Sequence, residues 1–313
     1  MAKGNIPSPP DPHRPGEKRS WQTPKSTKED ASALVRIQSL LNSASYRQAD
    51  KDVDFLARYE SRGIRLELDY AKAELLLAAH GVEHTIVVFG SARTPEPAAA
   101  QRQFEEAERA LAEDPDNPDR KRGLAVAKRI LERSRYYRLA HEFGSIVGES
   151  GQGPGDAKVS VMTGGGPGIM EAANRGSFDV GADTAGLNIS LPHEQFPNPY
   201  ITPDLCLCFH YFAIRKLHFL LRAKALVAFP GGFGTLDELF ETLTLVQTRT
   251  IAPLPIVLAG ESFWRRIVDF DALVDEGVIA EEDLDLFWFE EDPQEIWNGI
   301  LRWHEANGTS LFE

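Results

Sequence analysis

The chain carries six short apolar runs, most of them separated by segments of helical period. The runs are TIVVFG (85–90), KVSVMT (158–163), AGLNISL (185–191), LCLCF (205–209), ALVAF (225–229) and LPIVLA (254–259). Continuous apolar runs of this length are typical of strands that are buried on both faces. Their alternation with helices predicts an α/β fold, namely a doubly wound, mostly parallel sheet with helices on both faces.

The remaining pattern predicts how the chain is organised around this sheet. Residues 1–27 are rich in proline and poor in apolar side chains, which predicts a disordered tail. Residues 28–82 have a helical pattern with a stop signal at Gly81, so we predict an N-terminal helical extension. The α/β domain then covers 83–313. It includes a helical insertion at about 96–135, which we interpret as a solvated hairpin of two helices joined at DPDNPD.

Charge and hydropathy restrict the partners. The 313 residues include 34 Lys and Arg and 47 Asp and Glu, which gives a net charge of −13. This excess of negative charge argues against broad nucleic-acid binding through a basic face. No stretch approaches the roughly 20 apolar residues of a membrane span, and the N-terminus lacks a signal-peptide core. We therefore expect a cytoplasmic protein with no nucleic-acid or membrane partner.

The two cysteines, Cys206 and Cys208, alternate with apolar residues in LCLCFH. They are too few for a disulfide framework and fit a reducing compartment. Together with His210 they would face one side of a strand, but a structural zinc site needs four ligands. We interpret the run as a plain buried strand and predict no metal. The aromatic run FWF at 287–289 is interpreted as core or interface.

Glycine-bearing loops follow three of the predicted strands. In a sheet of this kind, ligands bind at the carboxyl ends of the strands. Glycine lets backbone N–H groups approach an anion that no side chain shields, so the loops predict a phosphate or sugar-phosphate ligand. The candidate contacts are Gly90, Ser91 and Arg93 after the first strand, Gly164, Gly165 and Gly166 after the second, and Gly232, Phe233, Gly234 and Thr235 after the fifth.

Two familiar phosphate-binding motifs do not match these loops. A dinucleotide fingerprint starting at Gly164 would need glycine where Ile169 stands, and neither long glycine loop is followed by the lysine of a P-loop. A classical dehydrogenase or a P-loop ATPase is therefore disfavoured.

The stretch PGGFGTLDE (230–238) has two interpretations. Thr235 and Glu238 have the T-x-x-E spacing of a capping box, which would make them only a helix start. Alternatively, phosphate binds the glycine amides and Thr235. Asp237 and Glu238 would repel a phosphate placed directly over them, so in this interpretation a carboxylate points at an uncharged part of the ligand, such as ribose hydroxyls.

The stretch YFAIRKLHFLLR supplies a possible cationic partner. Arg215, His218 and Arg222 share one helical face, and Lys216 lies beside them. This pattern is equally typical of a solvated basic face. His218 taken singly is more often a surface or packing histidine than a catalyst.

Taken together, the motifs GSAR, GGGPGIMEAAN, Arg215-Lys216 and PGGFGTLDE resemble the LONELY GUY (LOG) family of cytokinin riboside 5′-monophosphate phosphoribohydrolases. GLNISLPHEQFPNPY and HYFAIRK are similar to its longer bacterial members, and the resemblance runs from about residue 60 to 300. It implies a Rossmann-like nucleotide-binding catalytic domain. It also implies a homodimer or higher homo-oligomer with sites near the subunit interface, and no cofactor.

The resemblance also implies roles for particular residues. Arg215 and Glu238 match the catalytic residues of the family. Some members of the family have been called lysine decarboxylases, but we discount that activity because the sequence indicates no pyridoxal phosphate site. The extension, the insertion and GSAR in place of a GSS-type loop leave base preference and oligomeric state open. Substrate contacts would fall on Lys216, Gly232, Phe233, Gly234, Thr235, Leu236, Asp237, Thr244 and Glu194.

The expected reaction cleaves the N-glycosidic bond of a nucleoside 5′-monophosphate, either AMP or an N6-modified AMP, to free base and ribose 5-phosphate. Positive charge builds on the sugar as this bond breaks, so a carboxylate near the anomeric carbon stabilises it or aligns water. We assign that role to Glu238, while Arg215 binds phosphate or assists the departing base. The alternative is a non-catalytic carrier or sensor of a phosphorylated nucleotide-like ligand, because fold alone does not fix function.

Overall fold

A computed structural model describes residues 22–151, 159–191 and 196–311. Most of the predicted disordered tail lies outside these residues. The chain divides into two compact units, Met1–Arg65 and Leu66–Glu313. The boundaries predicted from sequence, at 27 and 82, stay predictions.

The first unit is helical where it is described. It contains α1 (Ala33–Leu41), α2 (Val53–Leu56) and the start of α3 (Arg62–Ala79), with two short 3-10 helices between α1 and α2 and one between α2 and α3. The Asp52 carboxylate begins α2 by accepting a hydrogen bond from the Phe55 N–H at 3.2 Å. The predicted helical character of the N-terminal extension is thereby confirmed.

The second unit contains a seven-stranded sheet in which every neighbouring pair is parallel. The strand order is β4-β3-β2-β1-β5-β6-β7. The strands are β1 (His84–Phe89), β2 (Val159–Thr163), β3 (Thr184–Ile189), β4 (Cys206–Phe209), β5 (Ala223–Ala228), β6 (Ile256–Leu258) and β7 (Trp288–Phe289). The six apolar runs correspond to β1–β6. The prediction missed β7, because a two-residue, half-buried strand has no readable period.

Helices cover both faces of this sheet, which confirms the predicted fold class. One core forms between the sheet and α3, α8, α9, α10 and α11, and a second forms against α6, α7 and α12. The helices after α3 are α4 (Pro97–Glu113), α5 (Pro118–Arg133), α6 (Arg135–Ser150), α7 (Ile169–Asp179), α8 (Phe212–Leu221), α9 (Phe233–Gln247), α10 (Glu261–Ile267), α11 (Phe270–Asp275) and α12 (Pro293–Ala306).

The segment after β1 contains three helices where two were predicted. α4 and α5 pack mainly against each other, as a hairpin should. α6, however, buries Tyr137, Phe143 and Val147 in the core, so it is a structural layer and not part of a solvated hairpin. The break between α5 and α6 is the single residue Ser134, which ends one helix and begins the next without proline or glycine. Sequence pattern alone gives no signal for such a break.

Glycines bring the backbones of α6 and α7 into direct contact. A Cβ atom on Gly176 would overlap the His141 carbonyl, and one on Gly144 would overlap the Ala173 carbonyl. The Ser177 hydroxyl donates to the Gly144 carbonyl at 2.9 Å across the same contact. Any side chain at these glycines would force the two helices apart.

Candidate functional site

The three glycine loops meet at one edge of the sheet. β2, β1 and β5 are adjacent in the sheet, so the loops that follow them emerge side by side. The Ser91 N–H donates to the Pro230 carbonyl at 3.0 Å, and the Ile169 N–H donates to the Ser91 carbonyl at 3.1 Å. The strand order reverses between β1 and β5, which is the switch point where doubly wound sheets bind ligands. The structure thus brings the loops of Gly90, Gly164–Gly166 and Gly232 together.

A buried network of neutral side chains fixes the second loop. The Thr163 hydroxyl donates to Asn174 Oδ1 at 2.7 Å and accepts from the Gly165 N–H at 3.0 Å. Asn198 Nδ2 donates to Asn174 Oδ1 at 2.9 Å and to the Gly166 carbonyl at 3.1 Å. Sequence reasoning missed Asn174 and Asn198. Each asparagine lies within a motif quoted above, GGGPGIMEAAN or FPNPY, and the structure shows that both are buried. A buried amide needs hydrogen-bond partners, which is the role that these two side chains have here.

Gly165 itself requires glycine. Its φ is +72°, and a Cβ atom there would overlap the side-chain amide of Asn188. The loop is therefore held in a conformation that other residues adopt only with strain.

The capping-box interpretation of Thr235 and Glu238 is wrong. α9 begins at Phe233 with Gly232 as its N-cap, and the Thr235 and Leu236 N–H groups both donate to the Gly232 carbonyl at 3.0 Å. Thr235 therefore lies inside the first turn and Glu238 in the next. The expected repulsion over the first turn does not arise either, because that turn contains no acid. The helix starts earlier than the T-x-x-E spacing suggests, since Gly232 serves as N-cap without a side chain.

The start of α9 presents free backbone donors. The described residues provide no acceptor for the N–H groups of Phe233 and Gly234, and both residues are exposed. Unpaired N–H groups at a helix start form an anion site that the helix dipole strengthens. The start of α9 therefore has the geometry that suits an anion.

Arg215 is fixed between β3 and the second glycine loop. Its Nε donates to the Leu187 carbonyl at 2.6 Å, and its Nη2 lies 3.5 Å from the Gly164 carbonyl. Its guanidinium carbon lies 5.0 Å from the centroid of the Phe219 ring. Burial lowers the pKa of Arg215, and the charge of Glu238 opposes that shift. The side chain therefore places a fixed positive charge beside the loop.

Lys216 binds three carboxylates of α9. Its Nζ lies 2.7 Å from Glu241 Oε2, 3.0 Å from Asp237 Oδ2 and 3.3 Å from Glu238 Oε2. Of the three acids, Glu238 is the buried one, with 10% of its side chain exposed. Burial raises the pKa of Glu238, while the charges of Lys216 and Arg215 lower it in part. The site thus holds a buried carboxylate next to two cations.

His218 and Arg222 do not form a solvated basic face, and that interpretation is wrong for this helix. Arg222 donates to both oxygens of Glu74 at 2.6 and 2.9 Å. His218 is fully buried, with Nδ1 2.8 Å from the Ile214 carbonyl and with Tyr70 and Phe209 against its ring. Its Nε2 lies 3.2 Å from Glu74 Oε1, so it is a buried histidine that faces the same carboxylate as Arg222. Glu74 lies far away in the sequence, so the helical pattern could not reveal the pairing.

Six of the predicted site residues line two different clefts, and neither Arg215 nor Glu238 is among the residues that line these two clefts. Five of them, Lys216, Phe233, Leu236, Asp237 and Thr244, line a cleft of about 660 Å³, which Phe240, Glu241 and Leu245 complete. Arg93 instead lines a second cleft of about 420 Å³, together with Tyr137 and Glu171. Sequence reasoning missed the second cleft because part of its wall, formed by Glu96, Ala99 and Gln103, comes from the insertion. Glu194 lies outside the described residues.

β4 presents its cysteines away from the core. Leu207 and Phe209 are buried, whereas Cys206 is half-buried and Cys208 is exposed. The buried-strand prediction is therefore right for the apolar face alone. Across 22–151, 159–191 and 196–311 there is no group of three or more His, Cys, Asp or Glu side chains that could hold a metal ion. None of the helices in that part of the chain has the length and apolar composition to span a bilayer.

Comparison with known proteins adds to this geometry. A family model described as "Possible lysine decarboxylase" matches residues 170–300. The cytokinin riboside 5′-monophosphate phosphoribohydrolase LOG of Oryza sativa subsp. japonica is 30% identical over 165 residues, which are 48% of this chain and 66% of that protein. LOG7 of Arabidopsis thaliana, of the same described activity, is 36% identical over 67 residues, or 21% of this chain and 31% of that one.

Each match therefore spans less than two thirds of the relative's own length. A solved structure of the Moco carrier protein from Chlamydomonas reinhardtii aligns with 72% of this chain and 99% of that chain, at 15% identity and a TM-score of 0.40. A similarity this low bears on neither fold nor function.

Proposed function

The chain belongs to the LOG family, and from that premise we propose that it hydrolyses the N-glycosidic bond of a nucleoside 5′-monophosphate. AMP or an N6-modified AMP is the proposed substrate, and free base and ribose 5-phosphate are the products. The activity named for the rice and Arabidopsis relatives supports this reaction class.

The observation that carries the proposal is the position of Glu238 relative to the start of α9. The free N–H groups of Phe233 and Gly234 suit a phosphate, and Glu238 lies further along the same helix. At about 1.5 Å rise per residue, Glu238 lies roughly 7.5 Å from Phe233 and roughly 6 Å from Gly234 along the helix axis, which leaves room for a ribose between phosphate and carboxylate.

The charges around Glu238 support its proposed role. An ionised carboxylate stabilises the positive charge that develops on the ribose, or orients the attacking water. Burial alone would favour the protonated form, and the charges of Lys216 and Arg215 counteract that effect. Arg215 adds positive charge beside Gly164, where it offsets the charge of the phosphate or assists the departing base.

Substitution of Glu238 by Gln tests this role. We expect E238Q to lower the release of adenine from AMP at least about a hundredfold, as removal of a preorganised electrostatic contact does. Chromatography of the products measures the rate, and circular dichroism verifies that the variant is folded. Undiminished release by E238Q would contradict the assignment.

Glu241→Gln is the matched control. It removes another carboxylate bound to the same Lys216 ammonium, but one that is more exposed. We expect its rate to stay within about threefold of wild type, since a partly exposed ion pair contributes little. The carrier alternative has a separate signature, namely wild-type protein that binds AMP in calorimetry and liberates no base.

The expected assembly and location are also proposals. We propose a homodimer or higher homo-oligomer in the cytoplasm, with a small-molecule nucleotide as its ligand. Sedimentation equilibrium of the full chain tests the assembly, and a single species at 34.7 kDa would contradict it.

A further inference from the structure

Two carboxylates of α3 hold the two ends of α8, the helix that carries Arg215 and Lys216. At one end, Asp69 Oδ2 accepts hydrogen bonds from the His210 and Tyr211 N–H groups, both at 2.8 Å. At the other end, Glu74 binds the guanidinium of Arg222 through both oxygens. Tyr211 and Arg222 are the N-cap and C-cap of α8, so both ends are fixed by one neighbouring helix.

The start of α8 has no cap of its own. The Tyr211 side chain makes no capping hydrogen bond, and the first turn contains no acid. Helices usually begin at a residue whose side chain accepts from the first N–H groups, and a negative charge there is favourable. Asp69 supplies that charge from a distant part of the sequence.

The end of α8 is held more extensively. Arg222 Nε also donates to the Val82 carbonyl at 3.0 Å, and the Arg222 carbonyl accepts from the Thr85 N–H of β1 at 2.8 Å. His218 packs in the core one turn before this end. The Asp69 carboxylate thus holds the backbone just before α8 through contacts separate from those that hold its end.

We propose that Asp69 is a positioning residue for the reaction: it fixes where α8 begins and so sets Arg215 against Gly164 and Lys216 against Glu238. This inference rests on the proposed function. The contacts that it places are within hydrogen-bonding reach, with Lys216 Nζ 3.3 Å from Glu238 Oε2 and Arg215 Nη2 3.5 Å from the Gly164 carbonyl. A displacement of about 1 Å at such a group is enough to cost about a hundredfold in rate.

Activity measurements with Asp69→Ala, Asp69→Asn and Glu67→Gln test this. We expect D69A to lower kcat for AMP hydrolysis at least about tenfold with KM changed less than about threefold. D69N keeps an acceptor oxygen and should recover part of the rate. E67Q is the matched control, because Glu67 is an exposed carboxylate of the same helix, and it should remain within about twofold of wild type.

The pH profile separates positioning from simple destabilisation. Burial raises the pKa of Glu238 and the charge of Lys216 opposes that shift, so withdrawal of Lys216 should move the acid limb of kcat to higher pH in D69A. A loss of folded protein would lower kcat at every pH without moving that limb. An unmoved limb and unchanged kcat in D69A would overturn the inference.

Hydrogen exchange provides a readout that does not depend on the reaction. In D69A the amides of 210–217 should exchange at least about tenfold faster than in wild type, whereas those of 218–222 and all amides of E67Q should not change. If the wild-type protein releases no base from AMP, the proposed function fails. Hydrogen exchange alone then decides whether Asp69 positions α8. Unchanged exchange over 210–217 in both D69A and D69N would then refute Asp69 as the residue that positions α8.

Discussion

The two sides of the candidate site hold their functional groups by different means. On the side of the second glycine loop, Thr163, Asn174 and Asn198 are buried and neutral, and they fix the backbone through short hydrogen bonds. On the side of α8 and α9, Lys216 and Glu238 are charged and hold each other by ion pairing. Neutral groups do not titrate over the working range of pH, whereas a buried carboxylate between cations does. The backbone cradle should therefore be constant, and the charge cluster should respond to pH.

The largest expected effect is on the neutral side. Asn174→Ala removes one amide and leaves the Thr163 hydroxyl, the Asn198 amide and the Thr184 hydroxyl each short of a partner. We expect the free energy of unfolding to fall by about 3 kcal/mol, because each unsatisfied buried group costs about 1–3 kcal/mol. Urea denaturation measures it.

The control for this variant is Asn307→Ala, at the exposed end of α12. It should change the free energy of unfolding by less than about 0.5 kcal/mol. If N174A were as stable as N307A, the neutral network would not be what holds the loop.

A smaller effect is expected on the charged side. Lys216→Met keeps the aliphatic stem but removes the shared counter-ion of Asp237, Glu238 and Glu241. The pKa of Glu238 should then rise further, and kcat at neutral pH should fall about tenfold. We expect the acid limb of the kcat profile to move to higher pH, with Lys128→Met on the exposed surface of α5 as the control. An acid limb that stays in place would mean that Lys216 does not tune Glu238.

The smallest effect concerns the wild-type protein. Burial raises the pKa of Glu238 above its usual value, and the proposed reaction needs the ionised form. Activity should therefore decline as pH falls through that raised pKa, at a higher pH than an ordinary exposed glutamate would give. A kcat profile that stays flat down to the ordinary glutamate range would contradict this.

The sheet could be predicted because its signal is local. Each of β1–β6 is a continuous apolar run, and the glycine loops follow directly after the strands. The residues at the carboxyl ends of adjacent parallel strands must lie close together, so Gly90, Gly164 and Gly232 could be placed in one region from the sequence.

One kind of error concerns pairings between distant parts of the sequence. Glu74 neutralises Arg222, and Asp69 holds the start of α8, from positions that no helical period connects to that helix. The capping-box spacing of Thr235 and Glu238 was real, yet the start of α9 was decided by Gly232. Local motifs therefore located the site, but tertiary contacts determined what each side chain does there.

The glycine contact between α6 and α7 has a consequence for how this protein tolerates change in length. α7 follows the second glycine loop, and the contact through Gly144 and Gly176 anchors it to α6 at a fixed distance. The α4–α5 hairpin, which packs mainly on itself, joins the chain just before that anchor. A shorter or longer hairpin would therefore alter the cleft beside Arg93, which α4 helps to line, while the second glycine loop kept its shape.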